Sequence, residues 1–452
     1  MLQFDDTIAA LATPTGTSAI AVIRVSGAES AKLAHEIFGE TPPPRVARRG
    51  DYHERRGELL DDVLFTFFLG PNSYTGEDAL EISCHGNPFI AQKILEDLFA
   101  RGCRPAGPGE FTQRAFLNGR MDLSQAEAVM DLIRARSDRA LAAANQQLRG
   151  ALGKRMDSLV ACLLDVLAHI EAYIDFPEED LPPEDRGFLE RELARLINET
   201  DRLIATSHYG AILRDGIRTV IVGPPNVGKS SLLNRLVGRE RALVSAEPGT
   251  TRDFIEEKIL IGPHCLRVID TAGLNPTPSP LEKLGMEKTL DCVAEADLLL
   301  LVMDVSQPIV EIPPILGEIA THEGCVIVLN KSDLVSELKV ERFSSQRSPV
   351  VHVSALTGLG MDLLSEAIVK QIDRFQINFN QDFIAINSRH ANALEKAKVW
   401  LSDAKKKISE DSPAELIASD LRGVLAAYGE IAGRVENENL LDRIFASFCI
   451  GK

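Results

Sequence analysis

The sequence predicts a multidomain chain in which an α/β P-loop domain is inserted into an all-α helical domain, behind a separate α/β N-terminal domain. Three observations predict it. Short β-branched runs closed by turn residues fill the first 120 positions. Apolar stripes at helical spacing follow, and return near the C-terminal end. Between the two helical stretches, strand–loop–helix units repeat from about residue 213 to 375. The 452 residues suit two or three domains at ~100–200 residues each.

Residues 1–120 read as mixed α/β. Ile20-Ala-Val-Ile-Arg-Val is ended by Ser26-Gly27, and Val63-Leu-Phe-Thr-Phe-Phe-Leu ends at Gly70-Pro71, with a loop at Thr41-Pro-Pro-Pro between them. From about 121 the pattern is helical: Leu159, Cys162, Leu163, Val166, Leu167 and Ile170 recur on one face. Pro177 and Pro182-Pro183 break that run, and another helix extends to about 208. From Arg218 the strands Thr219–Val222, Leu266–Ile269, Leu298–Val302, Val326–Leu329 and Val350–Val353 alternate with helical stretches, which implies a mostly parallel sheet. Helix returns after 376, with Ile417, Leu421, Val424, Tyr428 and Ile431 on one face. The domains expected are 1–120, a discontinuous helical domain of 121–212 plus 376–452, and an inserted domain of 213–375. Insertion is economical because the ends of a compact domain often lie close together.

Composition narrows the class. At 45% apolar and 25% charged residues the chain is globular. A tight apolar run such as Leu298 to Met303, between Asp297 and Asp304, is far short of the ~20 residues that span a membrane. The N-terminus Met1-Leu-Gln-Phe-Asp-Asp lacks a secretory pattern. Seven scattered cysteines are expected to be reduced thiols in a cytoplasmic protein, six of them in cores and Cys449 apart. The net charge of −17 makes a poor general binder of nucleic acid. Residues 101–155 nevertheless carry ten Lys/Arg against five Asp/Glu, read either as solvated helix faces or as an RNA surface.

The strongest chemical signal is Gly223-Pro-Pro-Asn-Val-Gly-Lys-Ser230, after one strand and before the helical Ser231-Leu-Leu-Asn-Arg-Leu. Such a loop turns backbone N–H groups toward phosphates at a helix N-terminus. Asn226, Val227, Gly228, Lys229, Ser230 and Ser231 are its candidate contacts, with Lys229 on the β- and γ-phosphates and Ser230 on Mg²⁺. Asp270-Thr271-Ala272-Gly273 supplies a carboxylate for the metal's water shell and a glycine that senses the γ-phosphate. Asn330-Lys331-Ser-Asp333 supplies an acceptor for the N1–H and N2–H₂ edge of guanine, and a site with a buried unpaired acceptor rejects the wrong base. Ser354-Ala355-Leu356 supports the base through backbone N–H. Four segments in this order, each at a strand end, specify a GTP site. Gly249-Thr250-Thr251-Arg252 lies where a GTPase keeps its second metal ligand, here Thr251, with Thr250 a neighbour in that loop.

Hydrolysis needs an oriented water. Many GTPases place glutamine directly after D-x-x-G; here that residue is Leu274. Asn226 is either a plain turn residue or an oxygen ligand for a monovalent cation. Glu282 is either a surface-helix carboxylate or the base that positions the water. Arg24, within an apolar strand, faces an anionic partner or is an edge-strand charge.

The segments Asn72-Ser-Tyr-Thr-Gly-Glu-Asp, Pro108-Gly-Glu-Phe-Thr-Gln-Arg-Ala-Phe-Leu-Asn, Asp122-Leu-Ser-Gln-Ala-Glu-Ala, the P-loop through Gly249-Thr-Thr-Arg-Asp, and Asp442-Arg-Ile-Phe-Ala-Ser-Phe-Cys-Ile-Gly-Lys452 together resemble the MnmE (TrmE) family of tRNA-modification GTPases along essentially the whole chain. The resemblance implies a dimerising, folate-binding N-terminal domain, a helical domain and an inserted Ras-like G domain. It implies that Asn226 holds K⁺ together with the loop Ser245, Ala246, Glu247, Pro248, Gly249 and Thr250, with Ser245, Glu247 and Thr250 as ligands, and that Glu282 orients the water through a second water. It also implies that Arg24, Glu81, Arg120 and Lys452 contact a tetrahydrofolate derivative (5,10-methylene- or 5-formyl-). Relatives often have lysine at 120; arginine keeps the charge but not the geometry. Cys449 falls near the folate and the target base, as nucleophile, acid/base or packing residue. It is not a prenylation signal, since glycine and a terminal lysine follow it.

The implied activity is K⁺-stimulated GTP hydrolysis through G-domain dimerisation. As a homodimer, and with the flavoprotein MnmG in a heterotetramer, such a protein adds a (carboxymethyl)aminomethyl-type group to C5 of the wobble uridine (U34) of tRNA. The rival class is a regulatory or ribosome-assembly GTPase switch without base chemistry.

Overall fold

A computed structural model describes the chain apart from residues 1–5, 176–185, 240–255, 272–288, 308–313, 336–347, 376–383 and 434–437. By internal contacts it divides into two units, residues 1–130, 147–198 and 393–452, and residues 131–146 and 199–392. The helices that sequence patterns assign to one domain are therefore shared between the two.

The first unit holds a six-stranded sheet in the order β3-β4-β5-β2-β1-β6, formed by β1 (Ile8–Leu11), β2 (Ile20–Ser26), β3 (Arg48–His53), β4 (Leu59–Phe68), β5 (Ala79–His85) and β6 (Arg104–Pro105). Side chains alternate across a strand. Ile23 and Val25 of β2 and Leu80 and Ile82 of β5 therefore share one face, in a core with α1 (Ser30–Phe38) and α2 (Pro88–Ala100). Ile8 and Ala10 point to the other face and pack with Phe111 of α3 (Glu110–Leu117). Arg24, paired in register with Ala10 and Glu81, is on that second face. Because β2 lies between β5 and β1, Arg24 is not an edge-strand charge.

Helices complete this unit. Asp122 opens α4 (Leu123–Arg134) by accepting from Ser124 Oγ at 2.6 Å and Gln125 N at 2.8 Å. Most of the short α5 (Asp138–Leu148), up to Gln146, belongs to the second unit. The long α6 (Ala151–Asp175) buries Leu159, Leu163, Val166 and Ile170 and packs along α13 (Ala414–Ala432), which buries Ile417, Leu421, Val424, Tyr428 and Ile431. Each such side chain stabilises by roughly 1.5–3 kcal/mol, so the 3.6-residue apolar period read from sequence is the packing seam. The order continues with α7 (Arg186–Ala205), α8 (Ser207–Asp215), α9 (Lys229–Arg239), α10 (Pro314–Ala320), α11 (Met361–Phe375), α12 (Ser388–Ser409) and, after α13, α14 (Glu438–Phe445). Phe445 and Phe448 join Leu123, Ala126 and Met130 in one cluster.

The second unit contains a sheet in the order β12-β11-β10-β7-β9-β8, formed by β7 (Ile217–Val222), β8 (Glu256–Ile261), β9 (His264–Asp270), β10 (Leu298–Asp304), β11 (Cys325–Asn330) and β12 (Val350–His352). All pairings are parallel except β8 with β9. Leu232, Leu236, Leu364 and Ile368 cover one face of the sheet, and Leu316 and Ile319 the other. Burial on both faces explains why β10 and β11 are continuous apolar runs rather than alternating ones. Open parallel sheets bind ligands beyond the carboxyl ends of their strands, and Gly223, Asp270, Asn330 and Ser354 stand at or just past the ends of β7, β9, β11 and β12. No helix among the described residues is long and apolar enough to cross a membrane. The cysteines depart from expectation at two positions: Cys84, Cys103, Cys292 and Cys325 are buried, but Cys162 and Cys265 are only half-buried, and Cys449 is exposed.

Candidate functional site

The P-loop joins β7 to α9. Asn226 holds a left-handed backbone at φ 63°, its side chain exposed. Gly228 follows at φ 94°, where a Cβ would fall 2.4 Å from Asn330 Nδ2. Glycine is required there because a second element of the site presses against it: Asn330 Nδ2 donates to Val227 O at 2.8 Å, and Asn330 Oδ1 accepts from Ala355 N at 3.0 Å. Asn330 therefore ties the phosphate loop to the Ser354–Leu356 loop. Ser354 and Ala355 are buried and Leu356 is exposed.

Lys229 is buried, its ammonium donating to Gly223 O at 3.1 Å and Pro224 O at 2.9 Å. Burial pushes its pKa down, and the nearby Asp270 carboxylate opposes that shift. Ser230 Oγ donates to Asp270 Oδ2 at 2.8 Å. Asp270 Oδ1 is buried and has no hydrogen-bond partner among the described residues. A hydroxyl beside an orphaned carboxylate oxygen is a hard-oxygen donor set of the kind Mg²⁺ takes. Ser231, next on α9, is exposed. Thr271 turns inward, its hydroxyl donating to Ile221 O at 2.7 Å.

Just after β11, Lys331 sits at φ 64°, its ammonium 2.7 Å from Asp304 Oδ2 at the end of β10. Burial raises the Asp304 pKa, but the Lys331 and Ser306 hydrogen bonds outweigh it and hold the carboxyl below its usual range. Asp333 is exposed, in a short 3₁₀ turn over Ser332–Leu334. Two contributors escaped sequence reading. Asp304 carried one available signal, as the charge that ends the six-residue apolar run. Arg235 carried none; from α9 it donates to Ala355 O at 2.9 Å and to Leu356 O. Ser245, Ala246, Glu247, Pro248, Gly249, Thr250, Thr251, Ala272, Gly273 and Glu282 lie outside the described residues.

A second constellation occupies the first unit. Arg24 donates through Nε at 2.9 Å and a terminal nitrogen at 2.8 Å to Glu81 Oε1. Its guanidinium lies 5.3 Å from the Tyr74 ring centre and 5.7 Å from that of Phe111, within cation–π range. Tyr74 Oη and Thr112 Oγ1 are 2.9 Å apart, and Asn118 Nδ2 donates to Thr75 O at 2.7 Å. The segments 72–78 and 108–118 are thus one structure. Arg114, fully buried, braces it through Asp6 at 2.6 Å, Glu110 at 3.0 Å and Glu77 at 3.2 Å, as a buried charge requires partners. Arg120 is exposed, with Gly76 packed against its stem. The C-terminal segment reaches the same unit: Gly109 N donates to Cys449 O at 3.3 Å, and Pro108 bridges Ile450. Lys452 is half-exposed.

A P-loop at a helix N-terminus, a carboxylate beside its serine and the Asn330–Asp333 turn, all at the carboxyl ends of strands in one mostly parallel sheet, define a P-loop GTPase. Residues 7–120 match the GTP-binding protein TrmE N-terminus and residues 123–449 the MnmE helical domain. The chain belongs to the MnmE family, GTPases that take part in tRNA modification. It is 58% identical to the tRNA modification GTPase MnmE of Opitutus terrae over 452 residues, all of both chains. With the protein of that name from Akkermansia muciniphila it shares 44% identity over 457 aligned positions, again the whole of both. Among solved structures it is similar to the G domain of the T. maritima FeoB iron transporter, at 28% identity and a TM-score of 0.28, covering 34% of this chain and 98% of that one.

Proposed function

We propose that this chain is a cytoplasmic, homodimeric GTPase stimulated by K⁺. With the flavoprotein MnmG, as a heterotetramer, and a one-carbon tetrahydrofolate, it adds a (carboxymethyl)aminomethyl-type group to C5 of U34 in tRNA. Ser230, and Asp270 through water, would hold Mg²⁺, with Thr251 as the further ligand. The ion when bound neutralises charge on the β- and γ-phosphate oxygens. Asn226, with Ser245, Glu247 and Thr250, would hold K⁺, and Glu282 would position the attacking water. Lys229 and the P-loop amides bind the phosphates, and Asp333 reads the guanine.

The folate reading draws support from donor chemistry. The Arg24–Glu81 pair sets donors beside acceptors, with two aromatic rings next to the guanidinium, which suits a flat heterocycle whose edge carries both. Arg120 and Lys452 add charge for a glutamate tail. The single observation that carries the reading is the attachment of Cys449–Lys452 to the folate-candidate unit, for which a simple switch has no use.

Mass-spectrometric nucleoside analysis of tRNA from cells lacking this chain tests it. U34 should lose its C5 substituent and regain it on complementation; an unchanged nucleoside profile supports the switch instead. Calorimetry of the full-length chain with 5-formyltetrahydrofolate should show binding that weakens by roughly 10- to 100-fold when residues 449–452 are removed, as expected for a lost charge-assisted contact. Undiminished affinity would leave Lys452 without a ligand role.

A further inference from the structure

The path of the C-terminal segment depends on two glycines far apart in sequence. After α14, the Phe445 and Phe448 rings are buried against Leu123 and Met130. The chain then passes Gly109, which stands at φ 65°, where a Cβ would meet Phe445 O and Phe448 Cβ, each at 2.9 Å. Its N–H bonds Cys449 O, and the neighbouring Pro108 pairs with Ile450. One residue later Gly451, buried at φ 92°, lies so close to β1 that a Cβ would fall 2.2 Å from Leu11 O and 3.0 Å from Ala12 Cα. These neighbours are mostly backbone, so no side-chain rotation relieves the clash. Both glycines also hold left-handed conformations that other residues adopt at a cost.

The anchor point is close to the Arg24 strand. Leu11 pairs with Ile23 and Ala10 with Arg24, and Ala12 N donates to Val22 O at 2.7 Å. The same path leaves Cys449 and Ile450 exposed.

We infer that Gly109 and Gly451 are positioning residues for the modification reaction: lacking a Cβ, they let Cys449–Lys452 dock at the end of β1, beside the strand that carries Arg24. The docking stands on geometry alone; what the docked segment does rests on the function proposed above.

The test uses full-length Gly451→Ala, Gly451→Asn and Gly109→Ala. Hydrogen exchange of peptides covering 106–112 and 446–452 should quicken by about tenfold or more as the segment opens locally. U34 modification in complemented null cells should fall by a similar factor. Basal GTP hydrolysis should stay at the wild-type rate, because the P-loop hydrogen bonds described above join residues of the second unit only. Gly451→Asn separates the two physical causes. Asn tolerates the left-handed backbone but still adds a Cβ, so it should fail as Ala does, and wild-type exchange in that variant would overturn the steric argument. Unchanged exchange in all three, or a released segment with modification intact, overturns the inference. A shared loss of GTPase, melting temperature and modification would mark a merely structural role and overturn it as well. Gly451 belongs to neither of the adjoining hydrophobic clusters, so its variants carry the test if Gly109→Ala does not fold. If even the wild-type chain fails to restore U34 modification, the proposed function falls, and the exchange measurement alone decides whether the glycines hold the segment.

Discussion

Asn226→Ala is expected to erase the K⁺ response of GTP hydrolysis, a loss on the order of 10³-fold or more, the scale on which an arginine finger acts. Leu274 occupies the position where many GTPases keep a water-orienting glutamine and cannot hydrogen-bond water. Something else must then orient the water, and an oxygen at Asn226 could hold a cation that neutralises charge developing at the phosphates, the task an arginine finger performs elsewhere. Asn226 projects from the P-loop at φ 63°, exposed, while Lys229 and the loop amides remain to hold the phosphates. GTP affinity should thus survive the substitution. The cation's charge counts for more where pairing G domains exclude water. Turnover should rise steeply with K⁺ and little with Na⁺, whose smaller radius prefers a tighter oxygen cage. Glu282→Ala should lower the catalytic rate while G-domain pairing in K⁺ with a transition-state mimic persists. Single-turnover phosphate release in K⁺ and Na⁺ decides the matter. Equal rates, or full activity in Glu282→Ala, would make an external activating protein the better explanation.

Asp333→Asn should weaken GTP binding by about 2–4 kcal/mol, the loss of a charge-assisted pair of hydrogen bonds, or roughly 30- to 1,000-fold. It should at the same time improve xanthosine triphosphate, whose C2 carbonyl offers an acceptor to the new amide. Asp333 is exposed at the end of β11, in a turn whose preceding Lys331 is held by Asp304. The turn is anchored through Lys331 while the Asp333 carboxylate stays exposed. Competition against a fluescent guanine nucleotide measures both changes. Equal binding of ATP and GTP by the unaltered chain would remove the assignment.

Much of this was legible in the amino-acid order, because it depends on neighbours within a few residues. The 3.6-residue period of Ile417, Leu421, Val424, Tyr428 and Ile431 marked a helix, and all five are buried. The runs 298–302 and 326–329 marked strands covered on both faces, and they are central in the second sheet. Gly223–Ser230 marked a phosphate loop, since strand, turn and helix N-terminus follow one another without interruption. The hairpin of β8 and β9 was half legible. Its return strand was read, but β8, an edge strand exposed at its start, has a mixed polar pattern that does not stand out.

What the sequence by itself determined is the class of the strongly patterned elements and the identity of the nucleotide, because periodicity, turn chemistry and short motifs are local properties of the chain. Tertiary structure alone decided which distant groups meet. It set Arg24 against Glu81 on the neighbouring strand and beside the Tyr74 and Phe111 rings. It made Asn330 a brace between the P-loop and the Ser354–Leu356 loop, brought Arg235 to that loop, and left Asp270 Oδ1 buried without a partner among the described residues. It also seated the last residues against Gly109 and Leu11. Contacts of this kind join residues tens to hundreds of positions apart, and their geometry comes from strand register and side-chain packing. Neither leaves a periodic trace along the chain.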